Sequence, residues 1–232
     1  MNRSAALVLF DIDGTLMRGA GGHHKQALVE GIRSVTNLTT HLDGVPTAGA
    51  LDRDLIIGML RAAGYSERRA RSALRPIMAA CHGAYISNCS QDLSPFLCNG
   101  VREFIVRLKE RGAVLGLVTG NLREIGWRKL ELAGLRTYFS FGAFAEDGRT
   151  RARLARVAAQ RARKLNLVTR DCRITLIGDH MNDVEAAKRN GFQSVAVATG
   201  LTSAEELRAL EPDYLVRDLT ELSVETVLSA SS

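Results

Sequence analysis

Five short apolar runs recur along this 232-residue chain, at residues 6–10, 114–118, 174–177, 194–198 and, more weakly, 214–216. Their residues are aliphatic or β-branched in succession rather than in alternation, which is typical of parallel strands buried on both faces. Helical patterns lie between several of the runs, and three of these patterns end at Gly112, Gly134 or Gly191. Glycine is a common residue just beyond the end of a helix. The alternation predicts an α/β fold with a Rossmann-like parallel sheet.

The segment 17–95 has a different pattern. It contains no comparable β-branched run, and helical stretches at 25–35, 52–63 and 66–85 are separated by breaks at Gly44-Val45-Pro46 and Gly64. We therefore expect two domains, an α/β core formed by residues 1–16 and 96–232 and an inserted helical domain formed by residues 17–95.

Composition and charge disfavour several classes of protein. The formal net charge is +6, but much of the excess lies between Arg149 and Lys164, where apolar residues recur at helical spacing. Most of these arginines should therefore line a solvated helix face. Aromatic residues make up only 5% of the chain, which gives single-stranded nucleic acid little to stack on. We expect no nucleic-acid partner.

The chain also has no pattern of a membrane or secreted protein. No apolar run approaches the roughly 20 residues needed to cross a bilayer. We recognise no signal peptide before the first strand, and the four cysteines form no CxxC pair. These observations predict no membrane partner, free buried thiols and a cytoplasmic location.

Polar residues follow three of the predicted strands, in the sequences Asp11-Ile12-Asp13-Gly14-Thr15, Thr119-Gly120-Asn121 and Gly178-Asp179-His180-Met181-Asn182-Asp183. The carboxyl ends of parallel strands meet at one edge of a sheet, where ligands bind. Four carboxylates, those of Asp11, Asp13, Asp179 and Asp183, would repel one another there without a cation. Magnesium suits oxygen ligands, and no cysteine or histidine stands at zinc-ligand spacing.

Asp11 and Asp13 stand two residues apart at a strand end, so both side chains should point to the same side. This spacing suits a nucleophile and an acid/base that act on one phosphorus atom. An ordinary aspartate-rich turn would explain one such loop. Three matched strand ends favour an active site.

These motifs resemble those of the haloacid dehalogenase-like hydrolase superfamily, in its helical-cap subgroup of phosphoglycolate phosphatase-like enzymes. The resemblance covers nearly the whole chain, and it implies a cap domain over the core. It also implies that Asp11 attacks a phosphoryl group to form an aspartyl phosphate. Asp13 would protonate the leaving alcohol and then deprotonate the hydrolytic water.

The resemblance assigns further roles to residues at the other strand ends. Thr119, with the amides of Gly120 and Asn121, would bind phosphate. Asp179 and Asp183 would bind Mg²⁺ together with Asp11 and the backbone carbonyl of Asp13. Glycine-rich segments of the cap would face the substrate, with Gly21, Gly22 and Asp52 as candidates, although plain loops would explain them equally. His23 and His24 are expected to be exposed loop residues.

One motif departs from the family pattern, because no Lys-Pro follows the second motif. Arg151, just after the predicted N-cap Thr150, is the candidate cation for phosphate and Asp11. A cation in a first helical turn opposes the helix dipole, so a functional need would explain it there. Arg153 and Arg149 are the alternatives, and an ordinary surface arginine would fit the same pattern.

The interpretation at this point is a Mg²⁺-dependent phosphatase for a small phosphorylated metabolite, with phosphoglycolate a candidate by likeness. A β-phosphoglucomutase-like phosphomutase would use the same core. A non-catalytic regulatory binder on this fold is an alternative of another class. A dehalogenase is disfavoured, because its reaction needs no acid at the place of Asp13. The oligomeric state stays open.

Overall fold

A computed structural model describes residues 4–20, 22–45 and 47–228 of the chain. Its strands are β1 (Ser4–Phe10), β2 (Val114–Val118), β3 (Phe141–Ala143), β4 (Val168–Gly178), β5 (Gln193–Val197) and β6 (Tyr214–Val216). Its α-helices are α1 (Gly22–Thr36), α2 (Asp52–Ala62), α3 (Glu67–Asn88), α4 (Val101–Glu110), α5 (Arg123–Leu132), α6 (Arg151–Lys164), α7 (Met181–Asn190), α8 (Ala204–Arg208) and α9 (Val224–Leu228).

The six strands form one parallel sheet in the order β3-β2-β1-β4-β5-β6. The predicted α/β class with a parallel sheet is therefore confirmed. Strand β1 lies between β2 and β4, with Phe10 paired to Leu117 and to Ile177. The three polar motifs consequently begin side by side at one edge of the sheet.

Burial on both faces explains why β1 is apolar at successive positions. Leu7 and Leu9 belong to the cluster that includes buried residues of α6, whereas Val8 and Phe10 pack with residues of α4 and α9. All four side chains are at most 1% exposed. Hydrophobic burial of this kind holds the central strand rigidly. The start of the loop that follows the strand is therefore fixed in position as well.

Helices α1, α2 and α3 all lie between β1 and α4 in the chain and are separated by loops. Helix α1 packs along α3, where Gly31 lies so close that a β-carbon would come within 2.6 Å of the Cys81 backbone nitrogen. We call α1–α3 the helical insert. The helices were expected at 25–35, 52–63 and 66–85, and the first begins earlier, at Gly22.

Two expectations about the chain need correction. His23 and His24 do not lie in an exposed loop, because both belong to the first turn of α1 and are partly buried. Strand β3 was not predicted, since its three residues, Phe-Gly-Ala, form no β-branched run and pair only with β2 at the edge of the sheet.

The expectations about the cysteines and about the arginine-rich helix are confirmed. The four cysteines are free, and Cys81, Cys89 and Cys172 are buried. The arginines of α6 are mostly exposed, with Arg151 as the buried exception. Among the described residues, no helix has both the length and the apolar character needed to span a bilayer.

Candidate active site

Asp11 is the first residue beyond β1 and is held firmly in place. Its backbone N–H donates to the Ile177 carbonyl oxygen at 3.0 Å, and its own Oδ1 accepts from the Ile12 N–H at 2.7 Å. The chain turns sharply at Gly14, whose φ of 87° lies in the left-handed region that favours glycine. Asp11 is only 5% exposed. Burial raises its pKa, although the neighbouring positive charge of Arg151 opposes the shift.

Arg151 is the cation that lies beside Asp11. Thr150 caps α6 by accepting from the Arg153 N–H, so Arg151 occupies the first helical position. Its Nη1 donates to Asp11 Oδ1 and to the Val118 carbonyl oxygen, both at 3.1 Å. Its Nε lies 3.1 Å from Asp183 Oδ1. Arg153, in contrast, is exposed, as is Arg149.

Three buried carboxylates, those of Asp11, Asp179 and Asp183, could share one cation. Each offers an oxygen, and these oxygens all lie within 4.8 Å of one another. Burial, reinforced by the charge of Asp11, raises the pKa of Asp179 to about 7, and burial also raises the pKa of Asp183. Asp183 Oδ1 accepts no hydrogen bond from the described residues. The three-carboxylate cluster therefore fits a hard divalent cation such as Mg²⁺.

Glycines and a threonine fix the Asp179 carboxylate. Thr15 Oγ1 donates to Asp179 Oδ1 at 2.8 Å. A β-carbon at Gly200, in the loop after β5, would lie 1.7 Å from Asp179 Oδ2, and one at Gly14 would lie 2.2 Å from it. Residues larger than glycine would thus displace this carboxylate.

The loop after β2 supplies neutral polar groups. Thr119 is fully buried, and its N–H donates to the Ala143 carbonyl oxygen at 3.1 Å. Asn121 Nδ2 donates to Thr119 Oγ1 at 2.8 Å and to Asp13 Oδ2 at 2.7 Å. Asn121 therefore connects the second motif to the first.

A residue that the sequence did not point to, Lys129 of α5, lies behind Asp13. Its side chain has no exposed surface, and its Nζ donates to both carboxylate oxygens of Asp13 at 2.7 Å. Nζ also donates to Asn121 Oδ1 at 2.7 Å and lies 3.1 Å from His24 Nδ1. Burying an ammonium costs several kcal/mol of solvation, so these partners must offset that cost.

The charge of Lys129 also governs Asp13. Partial burial alone would raise the pKa of Asp13, but the charge of Lys129 and the hydrogen bonds from Lys129 and Asn121 outweigh it and lower the pKa to about 2. The Asp13 side chain remains 43% exposed, and it lies outside the three-carboxylate cluster. The sequence-based expectation for metal binding concerned the Asp13 backbone carbonyl, and it stays a prediction.

The helical insert reaches the site through the start of α2. Asp52, 3% exposed, donates its backbone N–H to the Gly120 carbonyl oxygen at 2.8 Å. Its Oδ2 accepts from the Leu122 N–H at 2.6 Å and lies 2.8 Å from His24 Nε2. Asp52, a residue of α2, thereby caps the N-terminus of α5. Its Oδ2 is occupied by contacts with other residues of the protein.

A cavity of about 530 Å³ lies between the strand ends and the helical insert. Its polar wall carries the sequence-predicted residues Asp11, Asp13, Thr119, Gly120, Asn121, Arg151 and Asp179, with Gly22 and Asp52 on the insert side. Asp183 lies directly behind them. Gly21, the remaining candidate, lies outside the described residues. Leu28, Leu42 and Leu55 contribute an apolar wall.

Comparison with known proteins identifies the family of the chain. The model of the family described as haloacid dehalogenase-like hydrolase matches residues 8–188. The chain belongs to that family and is a hydrolase, as the resemblance in sequence implied.

Several similar proteins carry phosphatase names. The chain is 24% identical over 219 residues to a probable phosphatase, IndB, of Dickeya dadantii, which covers 93% of this chain and 91% of that protein. It is 30% identical over 127 residues to a phosphoglycolate phosphatase of Synechococcus elongatus, covering 53% of this chain and 56% of the relative. A crystal structure of a predicted phosphatase from Clostridium acetobutylicum shares the fold, with a TM-score of 0.66, 22% identity and coverage of 93% and 95%.

Proposed function

We propose that this hydrolase is a Mg²⁺-dependent phosphatase that cleaves a small phosphomonoester through an aspartyl phosphate on Asp11. One observation carries the proposal most directly. A buried aspartate lies on the wall of a cavity, 3.1 Å from a buried arginine and within 4.8 Å of two further carboxylates. A carboxylate so placed can attack phosphorus, and the cations beside it can stabilise the charge that develops on the phosphoryl oxygens.

In the first step, a carboxylate oxygen of Asp11 attacks the phosphorus and the bond to the leaving oxygen breaks. Arg151 supports this step by balancing the charge of Asp11 and by offering a guanidinium to the phosphoryl group. Thr119 Oγ1 and the backbone amides at 120 and 121 are the proposed donors to the phosphoryl oxygens. The leaving oxygen takes a proton from Asp13, the proposed acid. Because the pKa of Asp13 is lowered to about 2, its carboxylate must take up this proton from solvent when the phosphate binds, since added negative charge raises the pKa of a nearby carboxyl.

In the second step, a water molecule attacks the phosphorus of the aspartyl phosphate and Asp13 takes its proton. The reaction releases inorganic phosphate and returns Asp11 as a carboxylate. The low pKa of Asp13 suits it to be a carboxylate before this step. The partly exposed side chain can reach the cavity, where the water would approach.

Asp11, Asp179 and Asp183, with the Asp13 backbone carbonyl, are the residues that would hold Mg²⁺. When bound, the ion would neutralise the buried carboxylates and polarise the phosphoryl group. The raised pKa of Asp179 supports this assignment, because burial and the charge of Asp11 disfavour its ionised form, which a bound cation would favour.

The substrate proposed is a small phosphorylated metabolite. The cavity of about 530 Å³ has the size of pockets that take small molecules. Phosphoglycolate is the first candidate, because two relatives carry the name of that activity. We also keep the cytoplasmic location as a prediction from the sequence.

The experiment measures phosphate release from a panel of phosphorylated metabolites, with and without Mg²⁺, for wild type and Asp11→Asn. We expect hydrolysis that needs Mg²⁺ and near-complete loss in the variant, because the amide is no nucleophile. The matched control is Asp171→Asn, which changes an exposed aspartate of β4. Equal activity of wild type and Asp11→Asn would refute the catalytic proposal.

The same assay separates the alternatives. An isomerised sugar phosphate without net phosphate release would identify a phosphomutase instead. Binding of a phosphorylated metabolite without any turnover would identify a regulatory binder. Both outcomes contradict the phosphatase proposal.

A further inference from the structure

Lys129 occupies a position where the helix pattern requires an apolar residue. The buried residues of α5 are Ile125, Gly126, Lys129 and Leu130, so Lys129 lies on the face that packs into the protein. An aliphatic side chain there would satisfy the packing without the solvation cost of a buried ammonium. The charge therefore calls for an explanation beyond the stability of α5.

The contacts of Nζ converge on Asp13. Both Asp13 oxygens accept from Lys129 Nζ at 2.7 Å, and Oδ2 also accepts from Asn121 Nδ2 at the same distance. Asn121 Oδ1 in turn accepts from Nζ at 2.7 Å. The Asp13 carboxylate is thus held from behind by two residues, and its exposed side faces the cavity.

The helical insert completes this arrangement. A lysine ammonium can only donate, so His24 Nδ1, at 3.1 Å, is the acceptor. The hydrogen of His24 then sits on Nε2 and points to Asp52 Oδ2 at 2.8 Å. Asp52 is itself fixed by the Leu122 N–H. A continuous hydrogen-bonded chain runs from Asp52 of α2 through His24 of α1 and Lys129 of α5 to Asp13.

We propose that Lys129 is a positioning residue that orients the Asp13 carboxylate toward the leaving oxygen, and that His24, held by Asp52, fixes Lys129 from the helical insert. The inference rests on the proposed function, since it gives Asp13 the acid/base role. Lys129 has no path to the substrate of its own, because its side chain is fully buried behind Asp13. A misoriented acid/base group lowers the reaction rate but weakens substrate binding much less.

The test compares two leaving groups in the first turnover. β-Glycerophosphate has a poor leaving group that needs an acid, whereas p-nitrophenyl phosphate has a good one that does not. Lys129→Met should slow the first turnover of β-glycerophosphate by about 10²-fold. It should slow the first release of p-nitrophenolate much less and leave KM nearly unchanged. Asp13→Asn should show the same pattern.

A double-variant cycle makes the test specific. If Lys129 acts through Asp13, the Lys129→Met/Asp13→Asn variant will be no slower than Asp13→Asn alone. Multiplied losses, or equal losses with both substrates, would overturn the proposal. Lys109→Met, at an exposed lysine of α4, is the matched control.

Substitutions at His24 keep the proposal testable if Lys129→Met fails to fold. His24→Asn retains an acceptor near the place of Nδ1, and His24→Leu removes it. We expect the leaving-group-dependent loss in His24→Leu and its partial rescue in His24→Asn. Loss of equal size in both would contradict the part assigned to His24. Failure of the proposed function itself would look different, since Asp11→Asn would then match wild type.

Discussion

At the scale of single residues, the site contains few positive charges for its number of carboxylates. Arg151 contacts both Asp11 and Asp183 at 3.1 Å, and Lys129 forms its ion pair with Asp13. The two cations thus divide the first motif between them, one at the proposed nucleophile and one at the proposed acid/base. Burial still raises the pKa of Asp11 against the charge of Arg151, whereas the charge of Lys129 and the hydrogen bonds to Asp13 outweigh burial and lower the pKa of Asp13 to about 2.

Removal of the Arg151 guanidinium should therefore reduce catalysis sharply. We expect Arg151→Met to lower kcat by about 10²–10³-fold, the range found when one charge-stabilising donor is lost. Arg151→Lys should lose less, because it keeps the charge but cannot contact Asp11, Asp183 and the Val118 carbonyl together. Steady-state kinetics with saturating Mg²⁺ would measure both effects.

Two neighbouring arginines provide the controls for this prediction. Arg149 and Arg153 are exposed and are the alternatives that the sequence left open. Arg149→Met and Arg153→Met should change kcat by no more than about twofold, as surface substitutions usually do. A large loss in either one, with Arg151→Met nearly normal, would reassign the cation.

At the scale of elements, strand order brings the motifs together. β1 lies between β2 and β4, so the ends of three adjacent strands share one edge. The loop after β5, the next strand, contributes Gly200, which packs against Asp179. Thr199 Oγ1 in the same loop donates to the Gly14 carbonyl oxygen. Four adjacent strands of the sheet therefore shape the proposed active site.

Gly200→Ala tests this shaping directly. Its β-carbon would lie 1.7 Å from Asp179 Oδ2, so the carboxylate would have to leave the three-carboxylate cluster. We expect Mg²⁺ affinity to fall by about 10–100-fold, as for other changes that misorient a ligand. Calorimetric titration with Mg²⁺ would measure the loss.

Gly83→Ala is the matched control, because Gly83 is an exposed residue of α3 and a β-carbon there meets nothing within 4 Å. It should leave Mg²⁺ affinity unchanged and stabilise the protein by roughly 0.5–1 kcal/mol. Unchanged affinity in Gly200→Ala would show that Asp179 does not need its present position to bind metal.

The elements also show which parts of the fold and site could be predicted from the sequence. β2 and β6 lie where their apolar runs predicted them, because burial on both faces leaves a local signal. β3 produced no such local signal, because three residues with a central glycine carry no β-strand pattern. Lys129 produced no recognisable signal in the sequence either. A lone lysine in a helix looks like a surface residue, and the packing of α5 against α3 of the insert buries it beside Asp13.

At the scale of the whole molecule, the buried carboxylates couple folding to pH and to metal. In the metal-free protein, burial and the charge of Asp11 raise the pKa of Asp179 from 3.8 to about 7. Between pH 4 and 7 Asp179 is then protonated more in the folded protein than in the unfolded chain. Its contribution to the free energy of unfolding of the metal-free protein must therefore fall as pH rises through this window.

Mg²⁺ should reverse this trend, because the ion competes with protons for the same carboxylates. We expect the gain in Tm on adding Mg²⁺ to be small near pH 5 and to grow as pH rises past 7. At about 100 times its Kd, Mg²⁺ would add roughly 2.7 kcal/mol, which corresponds to about 5–10 °C for a chain of this size. Melting curves with Mg²⁺ and with a chelator at each pH would measure this difference, in which other titrating groups largely cancel. Asp179→Asn should flatten the pH dependence of the gain, and a gain of constant size in the wild type would contradict the assignment of the three-carboxylate cluster as the metal site.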